Sequence, residues 1–264
     1  MSLAHKTIRF TKASACGNDF LLVAGEDAGG DFNGLTRRLC DRHNGVGADG
    51  VEWLFPDPGA DIHARLINAD GSEAEISGNG TRCVAAALCS RTEKREIVIR
   101  TGAGPKRCVL TASSGITYEF ETGMGEAVVG DRFTIATQNM RVVGTQVSMG
   151  NPHCVILVDR FAEGWPLEAA MLQKQPQFPQ STNVEYVVVR GPHEIEIRLF
   201  ERGVGETQSS GTGSCASAVA AIAAGRVASP VKVVAPGGDQ TVRWENQVYL
   251  NGPATLVCRG EFFV

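Results

Sequence analysis

The feature that most constrains this chain is an internal repeat at a fixed offset of 133 residues. Sliding the sequence on itself by that amount pairs Gly17-Asn18 with Gly150-Asn151, Ile62 with Ile195, Arg65 with Arg198, Leu66 with Leu199 and Glu73 with Glu206. It also pairs Ser77, Gly78 and Gly80 with Ser210, Gly211 and Gly213, in two Gly-rich corners that each run into an Ala-rich stretch. One offset held from residue 17 to residue 88 marks a duplicated half-molecule. The 264 residues divide into two units of ordinary domain size. The expected boundaries are an N-terminal half over 1–122, joined by a returning final strand at 256–264, and a C-terminal half over 123–255.

Each half contains many short strands and one strongly apolar helix. Strands are expected in the first half at Thr7–Lys12, Phe20–Val23, Val51–Phe55, Ile62–Ile67, Glu96–Thr101, Lys106–Ala112 and Ile116–Glu121. In the second they fall at Thr145–Ser148, Cys154–Val158, Val184–Val189, Glu194–Phe200, Val231–Val234, Thr241–Trp244, Gln247–Leu250 and Ala254–Phe263. Helices are expected at Leu35–Arg42, after Ser77, at Leu167–Lys174 and at Gly213–Ala224, the last stopped by Gly225. Gly123-Met124-Gly125 reads as the crossover between halves. The fold class is α/β, with two pseudo-symmetric domains, each a barrel-like sheet wrapped on a central helix.

Composition narrows the function. A net charge of −4 and the absence of any Lys/Arg run exclude a nucleic-acid surface. No apolar run reaches the roughly 18–20 residues of a membrane span, and no signal-peptide pattern opens the chain. The eight cysteines are dispersed, with no C-x-x-C pair and no His at ligand spacing. That pattern fits free thiols in a reducing cytoplasm and argues against a metal site.

A helix that opens with Gly-x-Gly points unpaired N–H groups outward, and its dipole favours an anion there. Two such ends related by an internal two-fold suit a small carboxylate or phosphate. The corners lack the Gly-Lys-Ser/Thr of a nucleotide loop and the Gly-x-Ser-x-Gly of a hydrolase elbow. On residue type alone Ser77 and Ser210 are helix N-caps. Their equivalence under the repeat makes them the pair a symmetric site would use for two reactive groups.

Six segments carry a resemblance: Gly17-Asn18-Asp19-Phe20, Asn68-Ala69-Asp70-Gly71-Ser72-Glu73-Ala74-Glu75, Gly78-Asn79-Gly80, Met149-Gly150-Asn151-Pro152-His153, Asn183-Val184-Glu185 and Glu201-Arg202-Gly203-Val204-Gly205-Glu206-Thr207. In order and spacing, over essentially the whole chain, they resemble diaminopimelate epimerase. The resemblance implies an amino-acid epimerase independent of pyridoxal phosphate, with no cofactor, cytoplasmic and homodimeric. It would interconvert LL- and meso-diaminopimelate for lysine and peptidoglycan synthesis. It implies that Asn18, Asn79 and Asn151 line the reacting side and that Asn68, Asn183, Glu201 and Arg202 hold the distal end of the substrate. The N–H groups of Gly78-Asn79 and Gly211-Thr212 would bind the α-carboxylate.

The resemblance also exposes a departure. Where the family has its catalytic cysteine pair, this chain has Ser77 and Ser210. An alkyl hydroxyl is a far weaker acid than a thiol and gives no ready base at neutral pH. The expectation is impaired epimerisation with substrate binding kept. The alternatives are an inactive small-carboxylate binding protein, or an isomerase or racemase of another small carboxylic acid. A paired isosteric replacement points to a deliberate double Cys→Ser change, with natural divergence as the other origin.

Overall fold

The computed structural model describes residues 6–136 and 141–264. The chain forms two compact units: Met1–Thr122 with Gly252–Val264, and Gly123–Asn251. In chain order the elements are β1 (Thr7–Ala15), β2 (Asn18–Ala24), α1 (Phe32–Cys40), β3 (Gly50–Phe55), β4 (Ile62–Asn68), β5 (Glu73–Ala74), α2 (Gly78–Cys89), β6 (Glu96–Thr101), β7 (Gly104–Ser114) and β8 (Thr117–Gly125). There follow β9 (Val128–Ala136), β10 (Arg141–Ser148), β11 (Pro152–Leu157), α3 (Trp165–Leu172), β12 (Asn183–Gly191), β13 (Glu194–Glu201), β14 (Gly205–Thr207), α4 (Gly211–Ala223), β15 (Val231–Ala235), β16 (Gly238–Trp244) and β17 (Val248–Phe263). The repeat seen in the sequence holds for the elements: shifting α1, β4, β5 or α2 by 133 residues lands on α3, β13, β14 or α4.

In the first unit the strands close into a barrel. β1 pairs β2, β2 lies parallel to β3, β3 pairs β4, and β4 lies parallel to β6. β6 pairs β7, β7 pairs β8, β8 pairs β17, and β17 returns to β1. Closure removes the free edges that an open sheet would expose. Helix α2 fills the interior, with Cys83, Val84, Ala85 and Ala86 fully buried against Phe20, Leu22, Leu66, Ile97, Ile99 and Phe120. An Ala-rich helix is slim enough to be covered on all sides, which explains why its apolar residues follow no single stripe. The opposite face of β2–β4 carries Leu21, Val23, Val51, Trp53 and Ile67, covered by Leu35 and Leu39 of α1.

The second unit repeats this plan. β9, β10, β11, β12, β13, β15, β16 and β17 pair in sequence, with the same two parallel steps at β11–β12 and β13–β15. Helix α4 packs through Cys215, Ala216, Ala218 and Val219 on Val155, Val187, Ile195, Ile197 and Leu199. Helix α3 covers the other face with Trp165, Ala169 and Leu172 against Cys154, Ile156, Val184 and Tyr186.

Several sequence expectations are corrected. β9, whose apolar pattern Gly130-Asp131-Arg132 interrupts, was not expected, and β10 starts at Arg141, four residues before the expected Thr145. The crossover expected at Gly123-Met124-Gly125 falls where the second unit begins, and it is made inside the end of β8. The first helix starts at Phe32, not Leu35, because Asp31 caps it by accepting from the Gly34 N–H at 2.9 Å. Helix α3 starts at Trp165, where Pro166 sits in the first turn and loses no hydrogen bond. Helix α4 starts at Gly211, two residues before the expected Gly213. The stretch 137–140 lies outside the described residues.

Candidate functional site

Both serines cap their helices. Ser77 is extended (φ −122°, ψ 124°) and its Oγ accepts from the Gly80 N–H at 3.1 Å. Ser210 repeats this (φ −146°, ψ 126°), its Oγ accepting from the Gly213 N–H at 3.3 Å. Each hydroxyl satisfies one orphan donor of the first turn. Neither hydroxyl hydrogen has an acceptor among the described residues, and the N–H groups of Gly78, Gly211 and Thr212 likewise make no hydrogen bond there. Each corner is thus a helix N-terminus with donors to spare, the arrangement that holds an anion.

In the first unit a polar chain backs the corner. The Asn79 amide donates to Asn18 Oδ1 at 2.6 Å, and Asn18 Nδ2 donates to Asp49 Oδ2 at 3.1 Å. Asn79 Oδ1 in turn accepts from the buried guanidinium of Arg82. Asp49 and the adjacent Asp19 both bind Arg42 at 2.8 Å, and Asp19 also binds Lys12 at 2.8 Å. Burial alone would raise Asp19; the hydrogen bonds from Arg42 and Lys12 outweigh it and hold the carboxyl below its usual range. The β1–β2 turn that presents Asn18 is a tight one, with Cys16 and Gly17 both at positive φ (48° and 83°). Asn68 ends β4, and its amide donates to Ser72 Oγ at 3.0 Å inside the Asp70 turn.

In the second unit the equivalent chain contains a histidine. Asn151 Nδ2 donates to Thr212 Oγ1 at 3.4 Å, and Asn151 Oδ1 lies 3.0 Å from His153 Nε2. His153 Nδ1 lies 2.7 Å from Glu185 Oε1, with both side chains almost completely buried. Burial pushes Glu185 upward, and His153 opposes that shift. Asn183 is occupied within the protein: its amide donates to the Pro152 carbonyl at 3.0 Å and its Oδ1 accepts from the Arg202 N–H at 2.9 Å. Arg202 is exposed and donates to the Gln180 carbonyl at 3.2 Å. Neither Arg202 nor Glu201 forms an ion pair among the described residues, so the guanidinium fork keeps its carboxylate capacity. A cavity of about 410 Å³ in this unit is walled by Asn151, Pro152, His153, Phe178, Gln180 and Ser181.

Beneath each corner sits a buried carboxyl that sequence reasoning did not single out. Glu52 on β3 and Glu185 on β12 are 3% and 1% exposed. A Cβ added to Gly80 would fall 2.1 Å from Glu52 Oε1, and one added to Gly213 would fall 3.1 Å from Glu185 Oε1. At Gly80 the carboxyl is the closest neighbour, while at Gly213 the Leu199 Cδ2 atom is closer still, at 2.7 Å. The signal was available: Glu52 and Glu185 are also related by the 133-residue offset. Arg82, Asp49 and His153 are the other site residues the sequence argument passed over.

The sequence matches the diaminopimelate epimerase family over residues 10–129 and 145–257. The diaminopimelate epimerase of Pelotomaculum thermopropionicum is 40% identical, with 97% of this chain and 99% of that protein covered. That of Desulfitobacterium hafniense is 38% identical, covering 96% of this chain and 97% of the relative. Among solved structures, a phenazine biosynthesis protein from Bacillus anthracis superposes with a TM-score of 0.71 at 17% identity, covering 98% of this chain and 100% of that one. A hydroxyproline epimerase from Agrobacterium vitis, solved with bound trans-4-hydroxy-L-proline, gives 0.69 at 15% identity, covering 100% and 94%. At such identities the structures establish the fold alone, and the sequence relatives establish the family. The chain belongs to the diaminopimelate epimerase family of amino-acid epimerases.

Proposed function

We infer that this protein binds diaminopimelate at its two serine-capped corners and moves the α-proton between LL and meso forms more slowly than a thiol pair would. The observation that carries the reading is the duplicated Ser–Gly–x–Gly helix start, with the same cap geometry in both units. Inverting a stereocentre needs one acid–base group for each face of the α-carbon. The reading assigns one face to Ser77 and the other to Ser210. The spare N–H groups of Gly78, Gly211 and Thr212, together with Asn79, bind the α-carboxylate and stabilise negative charge as the carbanion forms. Asn18, Asn79 and Asn151 line the reacting carbon. Arg202 takes the distal carboxylate in its fork and Glu201 the distal ammonium, and Asn68 and Asn183 also hold the distal end. Asn183 also holds the Arg202 backbone, through its Oδ1.

All of this chemistry is carried by side chains and backbone dipoles, so the reading calls for no cofactor. It places the protein in the cytoplasm, as a homodimer. Replacing the thiol pair by hydroxyls removes the ready base, a loss of about 10²–10⁴ in rate for each general base.

Calorimetric titration tests the assignment. Meso- and LL-diaminopimelate bind, proline does not, and Arg202→Lys weakens diaminopimelate binding at least tenfold by losing the bidentate geometry. Equal binding of proline, or an Arg202→Lys variant as tight as the parent, sinks it.

A further inference from the structure

Glu52 has no role in the reading above, yet it is a carboxyl buried in the interior of the first unit. Its strand position lies between Leu22 on β2 and Leu66 on β4, both of which face the apolar interior. It makes no hydrogen bond to any described residue, and burial alone pushes its carboxyl up to about 8. The ionisable groups around it offer no compensation. Cys83 of α2, itself raised by burial, interacts electrostatically with Glu52, Arg82, Cys16 and Asp19. Arg82 directs its guanidinium to Asn79, Cys16 and the Pro253 carbonyl. A polar group left this way in a core is costly, and such cost is tolerated where the group is used.

Its position says what for. Glu52 Oε1 and Ser77 Cβ lie 2.1 Å and 3.3 Å from the same point, the place a Gly80 side chain would occupy. Ser77 Oγ accepts from the Gly80 N–H and keeps its own hydrogen uncommitted, so the hydroxyl and the carboxyl flank the same glycine without a hydrogen bond between them. A serine becomes a proton acceptor when a base stands behind it to take the hydroxyl proton. In the second unit Glu185 occupies the equivalent place but is bound to His153. The residue equivalent to His153 in the first unit is Phe20, so Glu52 stands alone.

We propose that Glu52 is the proton reservoir of the first corner, a positioning residue that lets Ser77 act as an acid–base group on the α-carbon of a bound amino acid. When the α-proton leaves, the C–H electron pair stays on carbon. Ser77 Oγ gains that proton and passes its hydroxyl proton to ionised Glu52. In the return direction neutral Glu52 reprotonates Oγ as Ser77 gives its proton to the carbanion. Atoms and charge balance without any further reactant. A carboxyl that burial raises to about 8 holds both states within reach.

The proposal rests on the epimerase reading, and the test separates the two. α-Hydrogen exchange in D₂O is followed for LL- and meso-diaminopimelate separately, between pH 6 and 9, in the parent, Glu52→Gln, Glu52→Leu and Ser77→Ala chains. Binding of each stereoisomer is measured alongside. The expected result is unchanged binding in both Glu52 variants, and exchange from one stereoisomer reduced about 10²–10⁴-fold, to the Ser77→Ala level. The parent's pH profile for that stereoisomer turns near pH 8, and the turn vanishes in Glu52→Gln. An infrared carboxylic-acid band present at pH 6 and lost by pH 9 belongs to Glu52 and is missing in Glu52→Gln. Tight binding with equal exchange in parent and Glu52→Gln, both above Ser77→Ala, overturns the proposal and leaves the epimerase reading standing, whereas tight binding with no exchange in the parent above Ser77→Ala overturns both. No binding of either stereoisomer by the parent removes both.

Discussion

Glu52 makes a prediction about stability that is independent of catalysis. In the unfolded chain its carboxyl ionises at the ordinary 4.5, whereas the folded barrel keeps it neutral up to about pH 8. Between those values the folded state holds one more proton than the unfolded state. Stability attributable to this group is therefore greatest below the unfolded value and falls as pH rises towards the folded one. The slope is about 1.4 kcal/mol per pH unit, or roughly 3 kcal/mol between pH 5 and 7.5. Glu52→Leu removes the titration and extends the apolar surface between Leu22 and Leu66. Urea unfolding of parent and variant at half-unit steps from pH 5 to 8 isolates the group, because every other titration is common to both chains. The difference in unfolding free energy widens in favour of Glu52→Leu as pH rises. A difference that stays constant across this range refutes the claim that Glu52 is buried and neutral.

Two further perturbations follow from the corners. Gly80→Ala drives a Cβ to 2.1 Å from Glu52 Oε1 and destabilises the chain by about 1–3 kcal/mol in thermal or urea unfolding. Combined with Glu52→Ala it costs less than the two single changes added together, and strict additivity would show that the contact is not what excludes a side chain at position 80. His153→Phe, which copies Phe20 of the first unit, leaves Glu185 without its partner while Oε2 is already unsatisfied. The expected cost is about 3–5 kcal/mol at pH 8, shrinking as pH falls because burial already favours the neutral carboxyl; a pH-independent cost contradicts the pairing.

The duplicated architecture was legible because the repeat preserves residues whose backbone roles tolerate little change. Gly80 and Gly213 meet carboxyls, and Ser77 and Ser210 cap helices by the same bond. Two Ala-rich helices entering barrels followed from their lack of a polar face. Glu52 was not legible for a specific reason. In Val51-Glu52-Trp53 the alternation of apolar and charged residues reads as a strand with one wet face. Closing the sheet around α2 covers that face too, so the charged position ends up in the core, 3% exposed. The β9 strand was hidden by the opposite effect: Val128–Ala136 is largely exposed, so packing imposes no strict period on it. The occupied state of Asn183 also lay beyond sequence, since its partners, the Pro152 carbonyl and the Arg202 N–H, are backbone groups that no residue type advertises.

The central claim is that Ser77 and Ser210 occupy the two acid–base positions of an epimerase. It is tested most directly by α-hydrogen exchange on meso-diaminopimelate in D₂O, comparing the parent with Ser77→Cys/Ser210→Cys. The account predicts rapid exchange and epimerisation by the double cysteine variant, at least 10²-fold above the parent, with diaminopimelate binding similar in both. A double cysteine variant that binds diaminopimelate but exchanges no faster than the parent would contradict it.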